Sequence, residues 1–165
     1  MADDDRDALE LLARMLVGGG YRVPVAGRGT KGTLSSGDIA GALAMMADPL
    51  EKATVLAVGT RADTAAVARL AFRAYRRVAG CVLMQRPRTL TLSDPADRWR
   101  LRLVIYDAAS ELVWPENRRS YAERARAAKM RKAVYIQVHK CATSVMQSAL
   151  AGGRKSFARA VFAKG

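Results

Sequence analysis

Hydrophobic positions along this chain recur mostly at spacings of three and four, the period of a helix with one buried face. Leu9, Leu12 and Leu16, with Ala8, Leu11 and Met15 beside them, predict a helix over residues 5–17 that Gly18-Gly19-Gly20 ends. Residues 21–34 break the pattern with glycines and basic residues and predict a loop. Within it, Gly27-Arg28-Gly29-Thr30-Lys31-Gly32 has the order Gly-x-Gly-x-x-Gly. It follows no clear strand, opens no helix and lacks the Gly-Lys-Ser/Thr of a nucleotide loop, so it does not indicate nucleotide binding. Ile39, Leu43 and Met46 predict the next helix, capped by Ser35 or Ser36 with Asp38 at its positive end and broken at Asp48-Pro49. Pro49 suits the first turn of a short helix over 50–58. A longer helix is predicted over 63–79, with Val67, Leu70, Phe72 and Tyr75 apolar, Arg69, Arg73, Arg76 and Arg77 on the wet side, and Gly80 as its stop.

Residues 80–94 change character. Cys81-Val82-Leu83-Met84 is short and apolar, Pro87 follows, and Thr89-Leu90-Thr91-Leu92 alternates. This is either a strand pair or an extended linker, and it divides the chain into an N-terminal helical unit (1–80), a connection (81–94) and a C-terminal unit (95–165). Ser93-Asp94-Pro95-Ala96-Asp97 starts a helix of about 95–112, and 113–119 connects it onward through Pro115. The fold class is therefore mainly α, with a short β-hairpin as one reading of the connection.

Ser120-Tyr121-Ala122-Glu123 is a capping box that opens a short helix to about Ala128. A second helix, about 132–150, carries Tyr135, Val138, Ala142, Val145, Met146 and Ala149 on its apolar side and ends at Gly152-Gly153. The pair fits a helix-turn-helix. Ala125 is the small residue where the helices cross, Ala128 and Met130 are the apolar residues three and five positions on, and Tyr135 and Val138 fill the slots ten and thirteen positions on. Two residues depart from the pattern: Arg124 stands in a slot usually apolar, with Tyr121 or Ala122 able to supply the bulk, and Lys129 stands at the turn, where Gly or Asn is commoner. An earlier stretch, Ser35 to Ala40, has a similar start, but Pro49 would fall inside its second helix.

Charge gives the pattern a partner. The chain has 28 Lys and Arg against 15 Asp and Glu, a net charge of +13. Residues 1–60 hold eight acids and six bases, whereas Arg118 to the end holds twelve bases and one acid, Glu123. Such a field attracts a polyanion, most often nucleic acid. A recognition helix needs bases at its start and along one side. Lys129, Arg131, Lys132 and Lys140 are so placed, and Gln137 can pair with adenine through two bonds. Arg118, Arg119, Arg154 and Lys155 flank the two helices as phosphate contacts. Val134 and Ile136 either touch thymine methyls or pack inward. The plainer alternative is a basic helical hairpin in a bundle with no groove contact.

The stretch from Glu123 to Ala142, Glu-Arg-Ala-Arg-Ala-Ala-Lys-Met-Arg-Lys-Ala-Val-Tyr-Ile-Gln-Val-His-Lys-Cys-Ala, resembles the fourth region of sigma-70-type factors and the related helix-turn-helix of bacteriophage Q-type late-gene antiterminators. The likeness covers about 95–150, a third of the chain. It implies a phage or prophage regulator of late genes or of antitermination, acting on double-stranded DNA with the host RNA polymerase. It also implies a recognition helix that continues as a packed rod and a preceding apolar helix that crosses it. Zinc-binding members of that group carry cysteine pairs, which this chain lacks.

Other chemistry is sparse. Cys81, Cys141 and the single histidine, His139, cannot supply four ligands to a structural zinc, and no metal or cofactor is expected. His139, with no second histidine and no acid three or four residues away, reads as a surface or phosphate-contacting imidazole, and Cys141 as a small buried residue. Trp99 and Trp114 read as core or hinge packing. No acid pair or nucleophile–base set marks an enzyme. No apolar run approaches the ~20 residues of a membrane span. Acidic first residues and unpaired cysteines predict a reducing cytoplasm, that of the bacterial host. The expected function is sequence-specific DNA binding in transcription control, as a monomer or a homo-oligomer. Its rivals are another phage DNA-binding protein, such as a small terminase subunit or a recombination accessory, and a basic structural nucleic-acid-associated protein.

Overall fold

The computed structural model describes residues 23–24, 33–34 and 36–162, and these are mainly helical. The helix expected over 5–17 and the glycine loop 27–32 lie outside the described residues. Inside the stretch expected to be loop, β1 (Val23–Pro24) pairs antiparallel with β2 (Thr33–Leu34), Val23 opposite Leu34. Six helices follow among the described residues: α1 (Ser36–Ala44), α2 (Pro49–Gly59), α3 (Thr64–Met84), α4 (Pro95–Val113), α5 (Tyr121–Ala127) and α6 (Lys132–Phe162). A single 3₁₀ turn, Pro115–Asn117, joins α4 to α5.

The helix starts follow local chemistry. Asp48 accepts the Leu50 amide at 2.9 Å and carries Pro49 at the first position of α2. Asp63 accepts the Ala66 amide at 2.8 Å, and Asp94 accepts the Ala96 amide at 2.9 Å ahead of α4. Ser120 accepts the Glu123 amide at 3.2 Å, one half of the predicted capping box.

Two helices run past their expected ends. Gly80 was expected to stop α3, yet the helix continues to Met84. The buried row Leu70, Ala74, Val78 and Val82 passes straight through it at intervals of four, and burial of that row outweighs the ~1 kcal/mol of one mid-helix glycine. The alternating stretch beyond then forms no strand: residues 85–94 are turns and irregular backbone, so the hairpin reading of the connection is set aside. Likewise Gly152-Gly153 do not end α6. A Cβ on Gly153 would lie 2.5 Å from Val55 Cγ2 and 2.9 Å from the Glu51 carbonyl, so these glycines let α2 cross α6 closely.

The chain divides into two compact units, Met1–Thr60 with Leu150–Gly165, and Arg61–Ala149. The sequence placed the division at 81–94. In the structure α3 packs against α4, so the helix expected to close the N-terminal unit belongs with the residues that follow it. In the first unit, Ile39, Ala42, Leu43 and Met46 of α1 and its end pack with Val55, Phe157 and Val161. In the second, α3 buries Val67, Leu70, Ala74, Val78 and Val82, and α4 buries Leu101, Val104, Ile105, Ala108, Ala109 and Val113. Trp114 is half-buried, and Trp99 is 45% exposed, which leaves Trp99 out of the core, one of the two placements expected for it.

Candidate nucleic-acid interface

The connection between α5 and α6 is built by backbone hydrogen bonds. Lys129 adopts φ +53°, a left-handed conformation that most side chains avoid. Its amide donates to the Arg126 carbonyl at 3.1 Å, and the Met130 amide donates to the Ala125 carbonyl at 2.9 Å. This pair of bonds is a Schellman motif, in which a left-handed residue ends the helix and its last carbonyls are satisfied. The α6 ladder then begins with the Tyr135 amide donating to the Arg131 carbonyl at 2.9 Å. The slots spaced from Ala125 follow: Ala125, Ala128, Tyr135 and Val138 are buried, and Met130 is half-buried.

Behind this turn lies a buried polar cluster. Arg124, the residue out of pattern, is 2% exposed and pairs with Glu111 of α4. Arg124 itself thus occupies the slot, with the half-buried Tyr121 packed against it and Ala122 exposed. Its guanidinium lies over the Tyr121 ring, 4.7 Å from the centroid, and 5.5 Å from that of Tyr135. Nε and Nη2 have no hydrogen-bond partner among the described residues, and the faces of these rings stand where an acceptor would. The Tyr135 hydroxyl donates to Asp107 Oδ2 at 2.6 Å.

His139, expected at the surface, is buried at 3% exposure. Its Nε2 is 3.1 Å from Glu111 Oε2, and its Nδ1 is 3.4 Å from Thr143 Oγ1. Its ring stacks on Tyr135, centroids 5.8 Å apart. Arg124 Nη1 also lies 3.2 Å from Nε2, so the ring either donates from Nε2 to Glu111 or accepts there from Arg124, according to its tautomer. Burial, then the Arg124 and Arg118 charges, lower the His139 pKa to about 4. Burial also raises the Asp107 carboxyl above its ordinary range, and burial with the Asp107 bond raises the Tyr135 phenol. The cluster ties α4, α5 and α6 together. The sequence carried a trace of it: Asp107 and Glu111, like Tyr135 and His139, are four apart on one helix face.

All nine candidate contact residues are exposed. Lys129, Arg131 and Lys132 lie at the turn and the start of α6. Gln137 and Lys140 are exposed on α6 while Tyr135, Val138 and Ala142 are buried, consistent with ~100° per residue. Val134 and Ile136 are half-buried. Arg118 donates to the Tyr121 hydroxyl at 3.2 Å and approaches Glu111 at 4.0 Å, and Arg119 lies 3.9 Å from Asp107. Those acids orient the two arginines from behind. A cleft of about 520 Å3 opens beside His139, with Glu111, Leu112, Arg118, Tyr121 and Lys140 in its wall. Arg154 and Lys155 belong to the other compact unit.

Among the described residues, no group of three or more His, Cys, Asp or Glu is placed to hold a metal ion, and no helix is long and apolar enough to cross a membrane. Compared with known proteins, the chain matches no family model, no curated protein and no solved structure.

Proposed function

We propose that the protein is a sequence-specific, non-enzymatic DNA-binding regulator of transcription, with α5 and α6 as its helix-turn-helix. The observation that carries this reading is the turn itself. Lys129 holds a left-handed conformation where helix-turn-helix proteins favour glycine, and the small and apolar slots counted from Ala125 face inward around it. The same turn leaves Arg131, just ahead of α6, and Lys132, Gln137 and Lys140, on its first turns, exposed. In this reading the start of α6 enters the major groove, Arg131, Lys132 and Gln137 meet base edges, and Arg118, Arg119, Lys129 and Lys140 meet phosphates, while Arg154 and Lys155 are phosphate contacts of their own unit. The resemblance to sigma-70 region 4 and to Q-type antiterminators supports a narrower version, a phage or prophage regulator acting with RNA polymerase in the host cytoplasm.

Selection of bound sequences from random duplex DNA, with and without bacterial RNA polymerase, tests it. A recovered motif supports the reading, and a motif that sharpens with polymerase supports the narrower version. Salt-dependent binding with no sequence preference would favour a basic structural nucleic-acid-associated protein instead.

A further inference from the structure

Cys81 near the end of α3 and Cys141 in the middle of α6 are sixty residues apart in sequence, yet their Sγ atoms stand 2.7 Å apart. Both are free thiols. One turn further on, Gln85 Nε2 donates to the Gln137 carbonyl at 2.9 Å. The partner numbers rise by four on one side and fall by four on the other, so the end of α3 and this part of α6 run antiparallel and are linked at two successive turns. Cys141 is buried, whereas Cys81 is half-exposed. A buried cysteine packed only for its size has no need of a second thiol in contact with it.

We propose that Cys81 and Cys141 form a reversible oxidation site, closed to an intramolecular disulfide by a hydroperoxide, that staples α3 to α6. The half-exposed Cys81 reacts first. Its thiol gives up its proton, the thiolate attacks hydrogen peroxide, the O–O bond breaks, and Cys81 becomes a sulfenic acid while the departing hydroxide takes up that proton and leaves as water. Cys141 then attacks the Cys81 sulfur, the S–O bond breaks, the Cys141 proton leaves with the hydroxide as a second water, and the S–S bond forms. Two thiols are oxidised, one peroxide is reduced, and no further reactant is needed. Burial, then the contact with Cys81, pushes the Cys141 thiol up to about 12, which suits it to the second, resolving step rather than the first. This site stands independently of the proposed DNA binding.

The test uses the reduced full-length chain exposed to hydrogen peroxide. The expected product is monomeric, lighter by two hydrogens, closed to maleimide alkylation after unfolding, and restored by dithiothreitol. Closing a loop of this length raises Tm by about 5–15 °C. In Cys141→Ser, with Cys141→Ala as the second variant should serine in that buried position prevent folding, the sulfenic acid on Cys81 is left unresolved and captured by dimedone. Disulfides that join two chains, a sulfinic acid on Cys81 with Cys141 still alkylatable, or an intramolecular disulfide that leaves Tm unchanged would each overturn the proposal.

Discussion

The amide of Met130 donates to the carbonyl of Ala125 at 2.9 Å, spanning the turn at which Lys129 takes a positive φ. The bond brings the apolar Met130 back against the last turn of α5, and it requires a left-handed residue between them. Lys129 meets that requirement at a cost that glycine avoids. Lys129→Gly is therefore expected to raise stability by about 1 kcal/mol, or roughly 2–4 °C in Tm. Lys129→Ala, which loses the charge and keeps the strain, gives no such gain. If Lys129 also meets a phosphate, both variants lower the salt slope of DNA binding by about one unit.

Two glycines predict opposite signs. Gly80 lies within α3 with open space where its Cβ would stand, so Gly80→Ala gains about 0.5–1 kcal/mol from helix propensity alone. At Gly153 the same methyl meets Val55 and the Glu51 backbone, and Gly153→Ala costs about 1–3 kcal/mol. Thermal or urea melts of both variants check the pair. Equal signs would mean that α2 does not cross α6 at Gly153.

Removing Arg124 leaves the Glu111 carboxylate with His139 and the more distant Arg118. Arg124→Met is expected to destabilise by about 3 kcal/mol, since breaking a buried pair strands the remaining charge. Adding Glu111→Gln recovers part of that loss, and the double-mutant cycle gives a coupling of about 2 kcal/mol. Additive losses would show that the pair does not act as a unit.

The His139 pKa falls on folding from 6.5 to about 4. The unfolded chain therefore binds the additional proton between these values, and stability declines as the pH falls through this window, by about 2–3 kcal/mol in all. Asp107, raised above its ordinary value, has the opposite sign: the folded chain takes up its proton first, which offsets part of the loss in the carboxylate range. Stability measured by urea titration from pH 7.5 to 4 should show the decline, and His139→Gln should flatten it. An unchanged slope in the variant would place the titration elsewhere.

Gln137 is exposed on α6, outside the core, and its backbone carbonyl accepts from Gln85 Nε2. Gln137→Ala is expected to leave melting and non-specific affinity unchanged and to cost ~1–3 kcal/mol of discrimination at one base pair of the selected site. Binding to single-base variants of that site measures it. Unchanged preference at every position removes Gln137 from base reading.

The sequence by itself determined the local grammar. Apolar spacing located α1 to α6 to within a few residues at most boundaries, because a helix that buries one face must repeat at its own period. Capping at Asp94 and Ser120 was legible because those bonds reach only two or three residues along the chain, whereas Asp48 read only as a helix breaker and proved to be a cap as well. The inward slots from Ala125 to Val138 were legible for the same reason, and so was the exposure of Gln137. Tertiary structure decided whatever depended on residues distant in sequence. Two glycine signals that look like helix stops became a harmless interior residue at Gly80 and a crossing point at Gly153, since only the neighbour across the helix distinguishes them. Arg124 and His139 looked like surface charges or pattern errors until Glu111, thirteen and twenty-eight residues away, arrived beside them. Burial of a polar group is tolerable only when a partner meets it there, and such a partner is supplied by packing rather than by spacing.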